Sequence, residues 1–301
     1  MPDPARHRSV LAVIPATETQ EGAGFRVRRP FPTRPLDHLD PFLLLDEMGP
    51  MDLGPGQAKG APDHPHRGFE TVTYLLDGEL VHRDSNGGGG LIRPGQVQWM
   101  TAGAGVVHSE MPSAAFQRTG GRMHGFQLWV NLPRARKLTP PRYQGLGGAT
   151  LPTARTADGL AEVRVIAGEA LGVRAVTATH TPILYVHATL RPGGALGLPV
   201  APGWNAFAYV FEGRALVGRD GRLAAPGTMV ILKDDGAGIL LAAAGDAPAQ
   251  ALVLAGRPIG EPVARYGPFV MSNEQELRQA FDDYQAGRMG RIPAEVAREE
   301  A

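Results

Sequence analysis

Not one of the 301 residues is a cysteine, so disulfides, thiolate metal ligands and thiol-based redox switching are excluded. No charge sign dominates either. Thirty Lys and Arg balance thirty Asp and Glu, and a net charge of zero gives no global field to draw the chain to nucleic acid or an acidic membrane. No apolar run approaches the roughly 20 residues of a membrane helix. The start, Met1-Pro2-Asp3-Pro4-Ala5-Arg6, lacks the basic-then-apolar pattern of a secretory signal. Together these absences predict a soluble, cytoplasmic protein without direct nucleic-acid or membrane binding.

What the chain has in quantity is glycine, 40 residues, and proline, 27, which suits an all-β protein with many turns. Its length is enough for two cores. After a leading segment to about residue 22, strands and turns alternate. Leu39 to Asp46 holds an apolar run with Pro41 where a missing N–H costs least. Thr71–Leu76 and Glu79–Arg83 flank Asp77-Gly78, a short hairpin signal. Gln96–Thr101 and Phe126–Leu132 read as further strands. The glycine run 87–90 lacks the Lys-Ser/Thr and the helix of a phosphate loop. Residues 133–148, with four basic residues and three prolines, read as an interdomain connection, which divides the chain into 1–135 and 136–301. The second half is again strand-rich, with candidates at 183–190, 206–211, 214–217, 228–232 and 250–254. Near the end, Ser272 and Asn273 can cap a helix that carries Leu277, Phe281 and Tyr284 on one face and stops near Gly287.

The chemistry concentrates in His64-Pro65-His66-Arg67-Gly68-Phe69-Glu70 and Val106-Val107-His108-Ser109-Glu110. Side chains two apart on a strand share a face, so His64 and His66 aim at one point, as do His108 and Glu110. Three imidazoles and a carboxylate suit iron(II), manganese, nickel or copper and leave octahedral positions open. One inward parity from His64 would run through Gly68, Glu70, Val72, Tyr74 and Leu76. Glu70 therefore rivals Glu110 as the carboxylate, although it lies roughly 13 Å beyond His66 along a strand. His82, in the charged run His82-Arg83-Asp84, reads as solvent-exposed, and His124 as a candidate for the barrel mouth.

These blocks resemble the metal motifs of the cupin superfamily, and their details resemble the pirin family. Carrying that likeness are His64 to Val72, Gln98-Trp99-Met100-Thr101-Ala102-Gly103, His108-Ser109-Glu110-Met111-Pro112, Gln127-Leu128-Trp129-Val130-Asn131-Leu132 and Tyr266-Gly267-Pro268-Phe269-Val270-Met271. Leu39 to Leu44 adds to it, and the likeness covers roughly residues 25 to 290. It implies two tandem cupin barrels (double-stranded β-helix or jelly-roll) with a short C-terminal helix. It also implies one divalent transition metal in the first barrel, usually Fe(2+), with Mn, Ni, Cu, Co or Zn as alternatives. Its ligand pattern maps onto His64, His66, His108 and Glu110, favouring Glu110 over Glu70. Sliding the first motif onto the second half by Gly78 and Gly213 sets Pro199, Ala201 and Asn205 against His64, His66 and Glu70, so no ligand set is expected there.

Two functions follow from the resemblance. The favoured one is an oxidoreductase similar to quercetin 2,3-dioxygenase, cleaving a flavonol with O2, with Glu110 as catalytic base. The alternative is a non-enzymatic, metal-dependent, redox-sensing regulatory module that binds a protein partner.

Overall fold

The computed structural model describes residues 3, 6–147 and 150–293. Nearly all of its regular structure is antiparallel strand. The first half forms β1 (Val10–Pro15), β2 (Thr17–Glu21), β3 (Phe25–Phe31), β4 (Phe42–Leu53), β5 (Ala61–His66), β6 (Phe69–Asp77), β7 (Leu80–Asp84) and β8 (Gly89–Ile92). It continues with β9 (Val97–Thr101), β10 (Val106–Pro112), the short helix α1 (Ala114–Thr119), β11 (Gly121–Asn131) and β12 (Arg142–Leu146). The long carboxy-terminal helix α2 (Glu274–Gln285) starts at Asn273, whose side chain accepts from the Glu276 N–H. No helix among the described residues is long and apolar enough to cross a membrane.

Contacts sort the chain into two compact units, and these differ from a single cut at 135/136. One unit holds residues 18–38, 42–147 and 259–293, and the other holds the segment before 18 with 39–41 and 150–258. The reason lies in strand pairing. β1 adds to the Thr228–Leu232 strand of the second unit. The hairpin of Ala264–Tyr266 and Phe269–Met271, with α2, joins the first unit, where Phe269, Met271, Leu277 and Ala280 bury against Val107. The stretch read as an interdomain connection is likewise structured: β12 pairs with β9 over Arg142↔Thr101 to Leu146↔Val97.

Each unit has a seven-stranded and a four-stranded sheet. The first unit's orders are β12-β9-β6-β11-β4-β3-β2 and β5-β10-β7-β8. The second repeats the pattern, with the four strands Ala195–Pro199, Gly238–Ala243, Ala215–Val217 and Arg222–Ala224 in the smaller sheet. Asp77-Gly78 proves not to close a hairpin. β6 pairs with β9 and β11, whereas β7 pairs with β10 and β8. The chain turns a barrel corner there, and Gly78, at φ +91°, meets Met123 where a Cβ would stand.

The two interiors differ in kind. The second unit encloses a continuous aliphatic core that includes Val163, Val186, Leu196, Leu198, Val210, Ile239 and Leu241. The first unit also buries Thr73, His82, Asp84, Gln98, His108 and Glu110, and buried polar groups persist only when they find partners.

Two buried cations tie irregular backbone in place. In the second unit the fully buried Arg8 donates to the carbonyls of Trp204 at 2.6 Å, Ala201 at 2.9 Å and Gly236 at 3.3 Å, and pairs with Asp234 at 2.6 Å. Ala201 is the residue that the glycine alignment sets against His66. In the first unit the Lys137 ammonium donates to Gly68 O, Asn131 Oδ1 and Val270 O at 2.9, 2.7 and 3.0 Å. Burial pushes its pKa down to about 8, but three acceptors match the three protons of the charged form. Arg8→Met should lower stability by about 1–3 kcal/mol, because it removes the donor to three partly buried carbonyls. Lys137→Met should cost about 1–3 kcal/mol on the same grounds. Calorimetric melting of each variant against wild type measures both.

Candidate metal centre

β5 and β10 run antiparallel with His64 opposite His108 and His66 opposite Val106. This register brings the three imidazoles together. One ring nitrogen from each of His64, His66 and His108 lies within 4.8 Å of the others. Ring centroids are 4.7 Å apart for His64–His66, 4.3 Å for His64–His108 and 4.9 Å for His66–His108. His66 and His108 are buried and His64 is half-buried. Burial first, then the facing imidazoles, push the pKa values of His66 and His108 well below the ordinary histidine range, so both are neutral at pH 7.

The proton of each ring is directed away from the cluster. His64 Nδ1 lies 2.7 Å from the Pro62 carbonyl and His66 Nδ1 3.1 Å from the Pro268 carbonyl. A carbonyl only accepts, so each Nδ1 carries the proton and each Nε2 presents a lone pair. His108 Nε2 is buried and has no hydrogen-bond partner among the described residues. A buried nitrogen without a partner is costly unless something else fills its lone pair. Three imidazole nitrogens converging at this distance fit a divalent transition metal.

Glu110 is held differently. Its Oε1 accepts from the Thr73 hydroxyl at 2.5 Å and from Gln98 Nε2 at 3.3 Å, which leaves Oε2 uncommitted. It lines the same cavity as His64 and His66 but is not within the 4.8 Å of the three nitrogens. Glu70 faces elsewhere. The single inward parity expected from His64 to Leu76 breaks at Gly68, which takes φ +88° and lies where a Cβ would meet the Val270 carbonyl. Beyond that corner the face toward the cluster carries Thr73, and Glu70, three residues earlier, is on the opposite face and accepts from Thr101 Oγ1 at 2.7 Å.

His82 also departs from expectation. It is fully buried, because β7 lies between β10 and β8 and not at the surface. Its Nε2 is 3.2 Å from Asp84 Oδ2, and its Nδ1 is 2.7 Å from Gln98 Nε2 and 3.4 Å from His108 Nδ1. Sequence reasoning missed this residue, although His82 and Asp84 have the same two-residue spacing as His64 and His66. His124 is buried against Glu47 Oε1 at 2.9 Å and does not line the cavity.

The cavity beside the histidines measures about 690 Å³, which falls in the range for small-molecule sites. Phe25, Leu44, Met48, Met51, Met123 and Trp129 supply apolar walls. The Trp129 ring meets His66 edge-on at 5.1 Å, and the Arg265 guanidinium lies over it at 4.9 Å. Arg29 pairs with Asp46 through two bonds of 2.7 and 2.6 Å along the wall.

In the second unit the same register sets Gly238 opposite Pro199, where the first unit sets His108 opposite His64. Pro199, Ala201 and Gly238 offer no imidazole or carboxylate.

Comparison with known proteins agrees with the motifs. A family model described as Pirin matches residues 24–130, and one described as Pirin C-terminal cupin domain matches 185–290. A pirin-like protein of Solanum lycopersicum is 42% identical over 95% of this chain and 94% of its own length. Human pirin is 39% identical over 94% of each. A crystal structure of quercetin 2,3-dioxygenase from Acinetobacter baumannii is 38% identical and superposes with a TM-score of 0.88, covering 95% of this chain and 99% of that one. Two tandem cupin β domains, motifs in order from Leu39 to Met271 and matches along both halves place this chain in the pirin family.

Proposed function

We propose that this protein is a metal-dependent dioxygenase that cleaves flavonols such as quercetin with O2, using one divalent transition metal, with iron(II) the first choice. The observation that carries the reading is the set of three converging imidazoles, two of which, His64 and His66, line a largely apolar cavity. Its likeness to a structure named quercetin 2,3-dioxygenase supports the substrate class.

In this reading His64, His66 and His108 hold the metal through Nε2. When bound, the metal supplies Lewis acidity and, for iron, access to O2 chemistry. Trp129, with Phe69 and Arg265 packed on its ring, gives the flavonol an apolar wall next to His66, and Met48, Met51 and Met123 exclude water around it. Glu110 takes the proton from the flavonol 3-hydroxyl on Oε2, the oxygen that Thr73 and Gln98 leave free. Joining the ligand set as well requires this side chain to shift toward the histidines.

Alanine at His64, His66 or His108 should abolish tight binding of one iron or nickel per chain while the β domains stay folded. Elemental analysis with circular dichroism reads both, and full occupancy in any of the three removes the assignment. O2 consumption and carbon monoxide release should appear with iron-loaded protein on a flavonol panel and vanish in the metal-free control. Glu110→Gln, compared at matched metal occupancy, should lower turnover by about 100-fold or more through loss of the base, whereas Glu70→Gln should be milder. Metal-loaded wild type that consumes no O2 with any flavonol overturns the catalytic reading and favours a metal-dependent regulatory module.

A further inference from the structure

A chain of buried polar groups runs behind the candidate centre, and its two ends dictate how the middle is protonated. At one end is Asp84, 4% exposed, whose Oδ2 faces His82 Nε2 at 3.2 Å. A carboxylate oxygen accepts, so His82 Nε2 carries the proton. At the other end is Glu110 Oε1, also an acceptor, 3.3 Å from Gln98 Nε2. The Gln98 amide therefore points its NH2 inward. One of its protons goes to Glu110 and the other to His82 Nδ1 at 2.7 Å, which must present a lone pair. The two constraints are independent and select the same His82 tautomer.

That tautomer has a consequence for His108. Its Nδ1 lies 3.4 Å from His82 Nδ1, and two bare lone pairs cannot face each other there. His108 Nδ1 therefore carries the proton and shares the His82 acceptor with Gln98. His108 Nε2, buried and without a partner, is left as the free lone pair. His64 and His66 reach the same state through backbone carbonyls, and His108, deepest of the three, has a side chain in place of one. Tyr143 stacks on the outer face of His82, with centroids 4.9 Å apart and planes 23° apart, and limits rotation of the ring.

We propose that His82, held by Asp84 and Gln98, is a positioning residue that sets the tautomer of His108 and, through Gln98, anchors Glu110 Oε1. One side chain then prepares both the third imidazole donor and the base. The coupling to a metal rests on the reading of the preceding section, while the tautomers stand without it. Groups that orient metal-ligating histidines commonly influence affinity by about 10- to 100-fold.

Two measurements test this. Imidazole 15N–1H correlation spectra of metal-free wild type should show His82 protonated on Nε2 and His108 on Nδ1; the opposite tautomer at either residue overturns the proposal, and no variant is needed. Calorimetric titration with nickel(II) then compares wild type, His82→Leu and His82→Asn, with folding checked by circular dichroism. His82→Leu should bind about 10- to 100-fold more weakly. His82→Asn, whose side-chain oxygen can stand in for the Nδ1 acceptor, should recover most of that loss. Wild-type affinity in folded His82→Leu overturns the positioning role. If His82→Leu does not fold, the spectra together with folded Gln98→Leu decide, the latter expected to weaken nickel binding. A wild type that binds no nickel while showing the expected tautomers counts against the metal reading and not against the tautomer relay.

Discussion

Three imidazole protons pointing outward are the constraint on which the rest of the first unit depends. Each converging ring can present a lone pair only if its other nitrogen has an acceptor, and burial makes that acceptor obligatory. Pro62, Pro268 and His82 fill this role. Much of the surrounding architecture serves to bring them there. Pro268 arrives on a hairpin far along the chain, which packs with the first unit through Phe269 and Met271. Lys137 then ties Val270 of that hairpin to Gly68 at the corner after β5.

The two units show how one topology tolerates opposite interiors. Both have a seven-stranded sheet facing a four-stranded one, with corresponding strand orders. In the second, aliphatic side chains fill the space between the sheets, a solution that needs no polar satisfaction. Its carbonyls at Ala201 and Trp204 are met by Arg8. In the first, polar side chains replace part of that filling and open a cavity of about 690 Å³. Every polar group placed there creates a demand for another, so Thr73, Gln98, His82 and Asp84 form a connected set and not isolated substitutions.

Apolar walls, with Arg265 over the Trp129 ring, give the cavity its chemical character. Trp129 and the methionines present polarizable, low-polarity surface to the cavity. Arg265 lies over the Trp129 ring and donates to the Leu43 carbonyl, while Phe69 packs on the same indole at 4.3 Å and His66 meets it edge-on. That arrangement orders the surface before any ligand arrives, and preorganisation lowers the cost of binding.

By itself the sequence determined the all-β character, the terminal helix with its Asn273 cap, the absence of thiol chemistry and the shared strand face of His64 and His66. These are local properties: a two-residue period puts side chains on one face of a strand whatever the strand packs against. His108 meets His64 and His66 only through the β5–β10 register. Only the tertiary structure decided which carboxylate sits by the cavity, because Gly68 turns the chain with a positive φ and reverses the parity that Glu70 would otherwise share. Long-range pairing likewise decided that Asp77-Gly78 joins two sheets, that β1 and the last hairpin exchange units and that residues 142–146 are a strand. The burial of His82 was hidden for the same reason. Its charged neighbours suggest a solvated strand, but β10 and β8 flank it, and its partners Gln98 and His108 lie 16 and 26 residues away in sequence.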